Sequence, residues 1–225
     1  MSIFSGFGKK KSGNSNVNPY EEEIRYSDEA ITANPKDSRA WYNKGTALGN
    51  LGRLEEAISC FDEAIKINPQ YATAWGNKGV SLGRLGRNEE ELHCYEEVIK
   101  INPKDALAWC NKGTVLAKLG RTKEEIFCYD EAIRINPGYA SAWYNKGTAL
   151  GKLGRYEEEI RCYDEAIKII PGYANAWYNK GIALAKLCRY EEAIPCYDEA
   201  LKINPEDVDA LHNKSFALKN LGRNK

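Results

Sequence analysis

The chain has 225 residues, and its 32 basic and 32 acidic side chains cancel, so its formal net charge is zero. This balance argues against a nucleic-acid-binding protein, which usually carries an excess of Lys and Arg. There are seven cysteines but only two histidines, and no CxxC pair, which matches no usual metal-ligand spacing, so no metal or other cofactor is expected.

The first 19 residues predict a flexible arm. They are rich in Gly, Ser, Asn and Lys, a composition that cannot bury enough apolar surface to become ordered. They contain no apolar run long enough for a membrane span or a secretory signal. The lysines at 9–11 are interpreted as solubilising charges, and docking of Ile3, Phe4 and Phe7 on another copy of the protein is left open.

From residue 20 onward the sequence repeats itself every 34 residues. Several residue types keep this spacing independently of one another. They are Trp41, Trp75, Trp109, Trp143 and Trp177; Pro35, Pro69, Pro103, Pro137, Pro171 and Pro205; and Gly52, Gly86, Gly120, Gly154 and Gly222. A fixed period of this length indicates an array of similar supersecondary units.

A single copy, taken at 140–173, predicts two helices joined by a turn. Apolar residues recur at helical spacing up to Gly154, which ends the first helix. Glu157 and Glu158 suit the start of the second helix, where negative charge is favoured, and Pro171 ends it. Neither helix can bury its apolar face alone, so successive copies must stack on one another.

The array begins and ends with half a copy. Residues 20–37 match only a second helix, and residues 208–225 match only a first helix, which is predicted to form a solvated cap. Five full copies lie between them, at 38–71, 72–105, 106–139, 140–173 and 174–207.

Several residues in each copy form a known pattern. The fourth copy has Trp143, Gly147, Tyr163, Ala166 and Pro171 in order, with Leu150 where that pattern has a first-helix Tyr. This arrangement resembles the tetratricopeptide repeat (TPR) family. The resemblance implies an all-α fold, a right-handed α-solenoid superhelix of antiparallel helix pairs. It also implies a concave groove, lined by the first helices, that takes an extended peptide or a partner helix.

Two positions depart from the family pattern. A lysine precedes the first-helix glycine, and we expect its stem to be buried while its ammonium group reaches solvent. A glutamate replaces the usual small residue early in several second helices. One hypothesis is an ion pair between these two side chains within a copy. The positions are Lys44, Lys78, Lys112, Lys146, Lys180 and Lys214, and Glu23, Glu91, Glu125 and Glu159.

A second kind of ion pair is expected along the second helices themselves. Asp164 and Lys168 stand four residues apart, and the same spacing recurs in three other copies. Pairs at this spacing stabilise a helix by about 0.3 kcal/mol each.

Five of the cysteines also follow the repeat. Equivalent helices pack about 10 Å apart, which is too far for a disulfide, so we expect free thiols and hence a reducing, cytoplasmic location. Cys188 stands where the other copies have the turn glycine, and a reactive thiol there is left open. The five are Cys60, Cys94, Cys128, Cys162 and Cys196.

The resemblance places one stripe of each first helix in the groove. Asparagine can donate and accept hydrogen bonds, so a row of asparagines can pair with a peptide backbone of any sequence. The basic edge predicts a ligand with acidic flanks, and the missing tyrosines at Gly76 and Cys110 predict an aromatic or aliphatic anchor. The groove candidates are Asn43, Asn77, Asn111, Asn145, Asn179 and Asn213; Tyr42, Tyr144 and Tyr178; Thr114 and Thr148; and Arg84, Lys118, Lys152 and Lys186.

Catalytic signatures are missing from the sequence, which contains no GxxxxGK[ST], HExxH or GxSxG motif. We therefore predict a non-catalytic protein–protein interaction scaffold whose partner is a protein or peptide, with no nucleic acid and no membrane involved. Two alternatives are a self-assembling structural protein joined through its unpaired half-repeat ends, and a regulatory subunit of a larger complex.

Overall fold

The computed structural model describes residues 18–223, and in this range it contains twelve α-helices and no strand. The chain divides into two compact units, at residues 1–104 and 105–225. Unit 1 contains α1 (Pro19–Ala33), α2 (Ser38–Asn50), α3 (Leu54–Ile67), α4 (Ala72–Arg84) and α5 (Asn88–Ile101). Unit 2 contains α6 (Ala106–Lys118), α7 (Thr122–Ile135), α8 (Ala140–Lys152), α9 (Tyr156–Ile169), α10 (Ala174–Lys186), α11 (Tyr190–Ile203) and α12 (Val208–Arg223). The predictions made for residues 1–17 lie outside the described residues.

Within each unit, every helix packs against the next one along the chain. In unit 1, α2 pairs with α3 and α4 with α5, and α1 packs on α2. In unit 2, the pairs are α6 with α7, α8 with α9 and α10 with α11, and α12 packs on α11. The prediction of an all-α solenoid built from helix pairs is confirmed.

The two helices of each pair are joined by a turn that requires a left-handed residue. Four turns use a glycine with φ between 71° and 79°, at Gly52, Gly86, Gly120 and Gly154. The fifth uses Cys188, with φ of 58°. Only glycine adopts this conformation without a steric penalty, so the turn is strained at Cys188.

The tryptophans and prolines that mark the repeat are hydrogen-bonded to each other. The indole N–H of Trp143 donates to the carbonyl oxygen of Pro137 at 3.0 Å, and that of Trp177 donates to Pro171 at 2.9 Å. Trp41 and Trp75 make the same bond in unit 1. The bond ties the start of each first helix to the end of the second helix before it, which explains why both residues keep the same period.

A glycine in each first helix lies directly beneath an aromatic ring of its paired second helix. A Cβ atom added to Gly181 would lie 2.6 Å from Cε1 of Tyr197, and one added to Gly147 would lie 2.8 Å from Cε1 of Tyr163. Both tyrosines are 1% exposed. The absence of a side chain therefore sets how closely the two helices of a pair approach.

The predicted ion pairs have different partners in the structure. Five first-helix lysines bind an aspartate on the preceding second helix, with Nζ to Oδ1 distances of 2.6 Å. The pairs are Lys44 with Asp28, Lys78 with Asp62, Lys146 with Asp130, Lys180 with Asp164, and Lys214 with Asp198. The hypothesis of a Lys–Glu pair within one copy is wrong for Lys146, because the carboxyl group of Glu159 accepts from Tyr163 instead.

The predicted ion pairs between an aspartate and a basic residue four positions later are also wrong, because these aspartates bind the first-helix lysines instead. Lys168 instead binds Glu165, and Lys66 binds Glu63, each three residues earlier on the same helix. The ammonium groups of Lys44, Lys78, Lys112, Lys146 and Lys180 also lie over the tryptophan ring three residues earlier; Nζ of Lys146 is 5.7 Å from the ring centroid of Trp143. Lys146 therefore binds an aspartate of the preceding copy and packs on an indole of its own helix.

All seven cysteines are free thiols, including the five periodic ones for which this was expected. Burial raises the pKa of Cys60, Cys162 and Cys196 to about 11 and that of Cys94 to about 12. Thiols with such pKa values stay protonated at neutral pH and are poor nucleophiles. Cys188 is exposed.

Candidate peptide-binding surface

The predicted asparagine row connects the first helices of successive copies. Within unit 1, α2 contacts α4; within unit 2, α6 contacts α8 and α10 contacts α12. Between α2 and α4, between α8 and α10 and between α10 and α12, the Nδ2 group of an asparagine donates to the tyrosine hydroxyl of the preceding copy. The pairs are Asn77 with Tyr42 at 3.1 Å, Asn179 with Tyr144 at 2.9 Å, and Asn213 with Tyr178 at 2.9 Å.

These bonds fix the orientation of the amide groups. Each uses a side-chain N–H, so the Oδ1 atom of the same amide takes no part in the bond and keeps its capacity to accept. Asn179 and Asn213 are half-buried, whereas Asn77 is buried, with 7% of its surface exposed. Asn43 and Asn111 are half-buried as well.

Asn145 differs because the preceding copy has Cys110 in place of tyrosine. Its Nδ2 atom lies 4.0 Å from Sγ of Cys110, which is a weaker acceptor than a hydroxyl. Cys110 is itself buried, with 4% exposed. In unit 2, Asn145 is therefore held more loosely than Asn179 and Asn213.

Two of the predicted groove tyrosines, Tyr42 and Tyr144, contact a second set of tyrosines that was not predicted from the sequence. The rings of Tyr144 and Tyr173 are stacked with centroids 5.0 Å apart, and those of Tyr42 and Tyr71 are also 5.0 Å apart. Tyr71, Tyr139 and Tyr173 each precede the next first helix. Tyr173 follows Tyr139 by one repeat of 34 residues, and Tyr71 precedes it by two repeats, so the periodic spacing was the available signal. Burial raises the pKa of Tyr173.

The threonines of the stripe are engaged with their own helices. The hydroxyl of Thr114 donates to the carbonyl oxygen of Cys110 at 3.1 Å, and that of Thr148 donates to Tyr144 at 3.2 Å. The Thr148 hydroxyl also lies 3.2 Å from the hydroxyl of the buried Tyr163. Thr148 therefore links the stripe to the interior of its helix pair.

The predicted basic-edge residues make several contacts within the chain. Arg84 donates to the carbonyl oxygen of Gly49 at 2.9 Å, one of the last carbonyl groups of α2. The ammonium group of Lys152 lies 3.3 and 3.4 Å from the two carboxylate oxygens of Glu125. Lys186 lies over the ring of Tyr156, with Nζ 5.0 Å from the centroid, and the side chain of Lys118 is exposed.

A set of buried glutamates lies beneath this edge. Glu91, Glu125 and Glu159 are only 6%, 2% and 6% exposed. Burial raises the pKa of Glu125 and Glu159, because the ionised form loses hydration. These glutamates depart from the family pattern, but nothing in the sequence places them at the candidate site.

The fold and the site together define a repeat protein that offers polar acceptors and aromatic rings along its first helices. Family comparisons identify the repeat. Tetratricopeptide repeat models match residues 38–71, 72–105, 94–127, 128–161, 174–207 and 196–225, and a TPR repeat model matches residues 147–187. The chain belongs to the tetratricopeptide repeat family. Residues 20–51 also match the protein prenyltransferase alpha subunit repeat.

Solved structures with a similar fold include other TPR proteins. YrrB, described as a TPR protein with an unusual peptide-binding site, is 26% identical with a TM-score of 0.73, over 85% of this chain and 99% of its own. MamA is 20% identical with a TM-score of 0.70, over 75% of this chain and 92% of its own. MamA (41-end) from Desulfovibrio magneticus RS-1 is 19% identical with a TM-score of 0.70, over 76% of this chain and 97% of its own. Comparison with curated proteins gives no significant match.

Two further properties concern the part of the chain that the structure describes. None of its helices combines the length and apolar character needed to cross a membrane. No group of three or more His, Cys, Asp or Glu side chains is arranged there to hold a metal ion.

Proposed function

We propose that the chain is a non-catalytic scaffold that binds an extended peptide or a partner helix along the first helices of a unit. The observation that carries the proposal is the orientation of the asparagine amides by the tyrosine hydroxyls, as in Asn179 with Tyr144. Because the tyrosine holds the N–H side, each Oδ1 atom is preorganised to accept from a ligand N–H group. The likeness to YrrB supports a peptide as the ligand class.

The backbone of the ligand is the natural partner for such a row. An extended peptide presents an N–H group on each side at about 6.6 Å intervals, twice the rise per residue. Amide acceptors therefore bind the peptide without reading its sequence. The stacked pair of Tyr144 and Tyr173 offers a surface for an aromatic or aliphatic anchor. Acidic flanks remain a prediction, to which Lys118 and Lys186 are relevant because both side chains are exposed.

The test uses matched asparagine variants within one helix. A random peptide library is selected against the immobilised wild-type chain, and the enriched peptides are then titrated against Asn179→Ala and Asn175→Ala. Both residues are on α10, but Asn175 is exposed and outside the predicted stripe. We expect Asn179→Ala to weaken binding at least fivefold and Asn175→Ala to leave it unchanged, with helical circular dichroism preserved in both. Equal effects, or no enriched peptide, would contradict the proposal.

Self-assembly is the second candidate, and one observation favours it. The predicted solvated cap, α12, exposes Val208, Leu211, Phe216 and Leu218, of which 47 to 75% of the surface is accessible. Such a face can be covered by another copy of the chain. Light scattering over a hundredfold range of concentration tests this candidate, and a constant monomer mass would exclude it. The cytoplasmic location inferred from the thiols also remains a prediction.

A further inference from the structure

The carboxyl group of Glu159, on α9 in unit 2, is buried but incompletely hydrogen-bonded. Its Oε1 atom accepts a hydrogen bond from the hydroxyl of Tyr163 at 3.1 Å. Its Oε2 atom is buried and has no hydrogen-bond partner among residues 18–223. A buried polar atom without a partner is unfavourable, and a donor placed there would be strongly held.

The preceding copy shows which chemical group satisfies a glutamate at this position. Glu125 is the equivalent residue, and both of its carboxylate oxygens are within 3.4 Å of the ammonium group of Lys152. Lys152 belongs to the first helix of the next copy. An ammonium group can therefore reach this position from the side on which the first helices lie.

At Glu159 the equivalent lysine is held elsewhere. Lys186 lies over the ring of Tyr156, with its ammonium group 5.0 Å from the ring centroid. The residue that corresponds to Tyr156 in the preceding copy is Thr122, which offers no ring to Lys152. Tyr156 thus provides a cation–π site for Lys186 that competes with Glu159.

The Glu159 carboxyl group lies against a glycine in the first helix of the same copy, so no side chain of that helix covers it at this position. Gly151 on α8 lies against it, and a Cβ atom there would be 2.5 to 2.6 Å from the carboxyl atoms. Gly151 is half-buried and adjoins Lys152, and Thr148 lies one helical turn earlier. The carboxyl group is therefore next to the stripe proposed to bind the peptide.

We propose that Glu159 binds one basic side chain, Lys or Arg, of a peptide lying on the first helices of unit 2. The inference rests on the proposed function and deepens it, because it gives one position of the ligand a defined chemistry. Hydrogen bonds between a cationic N–H donor and a carboxylate are among the strongest in proteins. The exposed Lys186 remains on Tyr156 or moves into solvent as the ligand cation enters.

The experiment compares isosteric variants of the two equivalent glutamates in the full-length chain. Peptides are selected from a random library against wild type, and one enriched peptide is resynthesised with its basic residue replaced by norleucine. Both peptides are titrated against wild type, Glu159→Gln and Glu125→Gln. We expect the norleucine peptide to bind wild type at least about tenfold more weakly. This difference should be lost in Glu159→Gln and kept in Glu125→Gln, since Glu125 is already occupied by Lys152.

A third variant, Tyr156→Thr, reproduces the environment of the preceding copy. It frees Lys186 to occupy Glu159, so the preference for the basic peptide should fall by about the same factor as in Glu159→Gln. Enriched peptides without a fixed basic position would overturn this inference while leaving the scaffold function intact. A basic preference that survives in Glu159→Gln, or a preference unaffected by Tyr156→Thr, would also overturn it. A library that yields no binder at all would remove the proposed function itself.

Discussion

The side-chain amide of Asn179 donates to the hydroxyl of Tyr144 at 2.9 Å, which joins residues 35 positions apart on successive first helices. The same offset recurs between Asn213 and Tyr178 in unit 2, and between Asn77 and Tyr42 in unit 1. The bond therefore belongs to the repeat and stabilises the contact between adjacent copies.

Tyr144→Phe and Asn179→Ala are each expected to lower the free energy of unfolding by about 1 kcal/mol, because each removes the same half-buried hydrogen bond. The double variant should lose little more than either single one. Urea unfolding followed by circular dichroism measures these differences. Tyr26→Phe, at an exposed tyrosine on α1, is the control and should change stability by less than about 0.5 kcal/mol. Fully additive losses in the double variant would show that the two groups do not interact.

Gly181→Ala is expected to destabilise the protein by about 1 to 3 kcal/mol, although alanine is the better helix former. The added methyl group would lie 2.6 Å from the ring of Tyr197, which is buried and cannot move aside freely. Gly76→Ala is the matched control, because the nearest atom to its new Cβ is Cγ2 of Val98 at 4.0 Å. That variant should gain up to about 1 kcal/mol from helix propensity. Thermal unfolding of both variants measures the difference in stability. Equal shifts in melting temperature would contradict the packing argument.

Cys188→Gly should stabilise the protein by about 1 kcal/mol, since it relieves a non-glycine residue at φ of 58°. The reverse change, Gly154→Cys, places cysteine in the equivalent turn at φ of 71° and should cost a similar amount. A Cβ atom at Gly154 meets nothing within 4 Å, so its cost reports backbone strain alone. Chemical denaturation of both variants under reducing conditions provides the measurement, and a destabilised Cys188→Gly would show that the thiol makes a net favourable contact.

The stability of Glu159→Gln relative to wild type should depend on pH. Burial raises the pKa of Glu159 in the folded state above the ordinary value of 4.5, so ionisation is less favourable in the folded than in the unfolded chain. The stability cost is therefore present above the folded pKa and disappears as the pH falls below the unfolded value. Glu159→Gln should be more stable than wild type at pH 7, and the gain should vanish near pH 4.

Glu158→Gln is the control of opposite sign for that pH series. Its hydrogen bond to Arg155 lowers the pKa of Glu158, so the carboxylate contributes stability above pH 4.5 that is lost on acidification. The glutamine variant should be slightly less stable than wild type at pH 7 and equal to it at low pH. Urea midpoints measured between pH 3.5 and 8 compare the two variants, and parallel curves would contradict the assigned pKa directions.

The sequence predicted the fold well because its strongest signals are local or periodic. Trp143 and Pro137 mark the ends of neighbouring helices, and the hydrogen bond between them spans only six residues. The turn glycines likewise indicate a left-handed backbone conformation, which can be predicted from the sequence of a single copy. Helix type, order and pairing therefore follow from one copy together with the period.

The contacts between copies were harder to predict because they depend on which turn of one helix faces which turn of the next. Lys146 binds Asp130, sixteen residues earlier, and neither the helical period nor the copy length selects that partner over a glutamate. The different hydrogen bonding of Glu125 and Glu159 was harder still to predict. It follows from the side-chain position of one lysine, and from a tyrosine at 156 where the preceding copy has a threonine.

The constant offsets between contacting residues also affect how such a gene can change in length. Asn–Tyr bonds span 35 residues and Lys–Asp pairs span 16, so removal or duplication of a 34-residue block keeps the bonding positions of neighbouring blocks in register. Coding segments for similar copies can recombine with one another. Unequal exchange between them would yield longer or shorter arrays that still fold, whereas a deletion of any other length would put bonded residues out of phase.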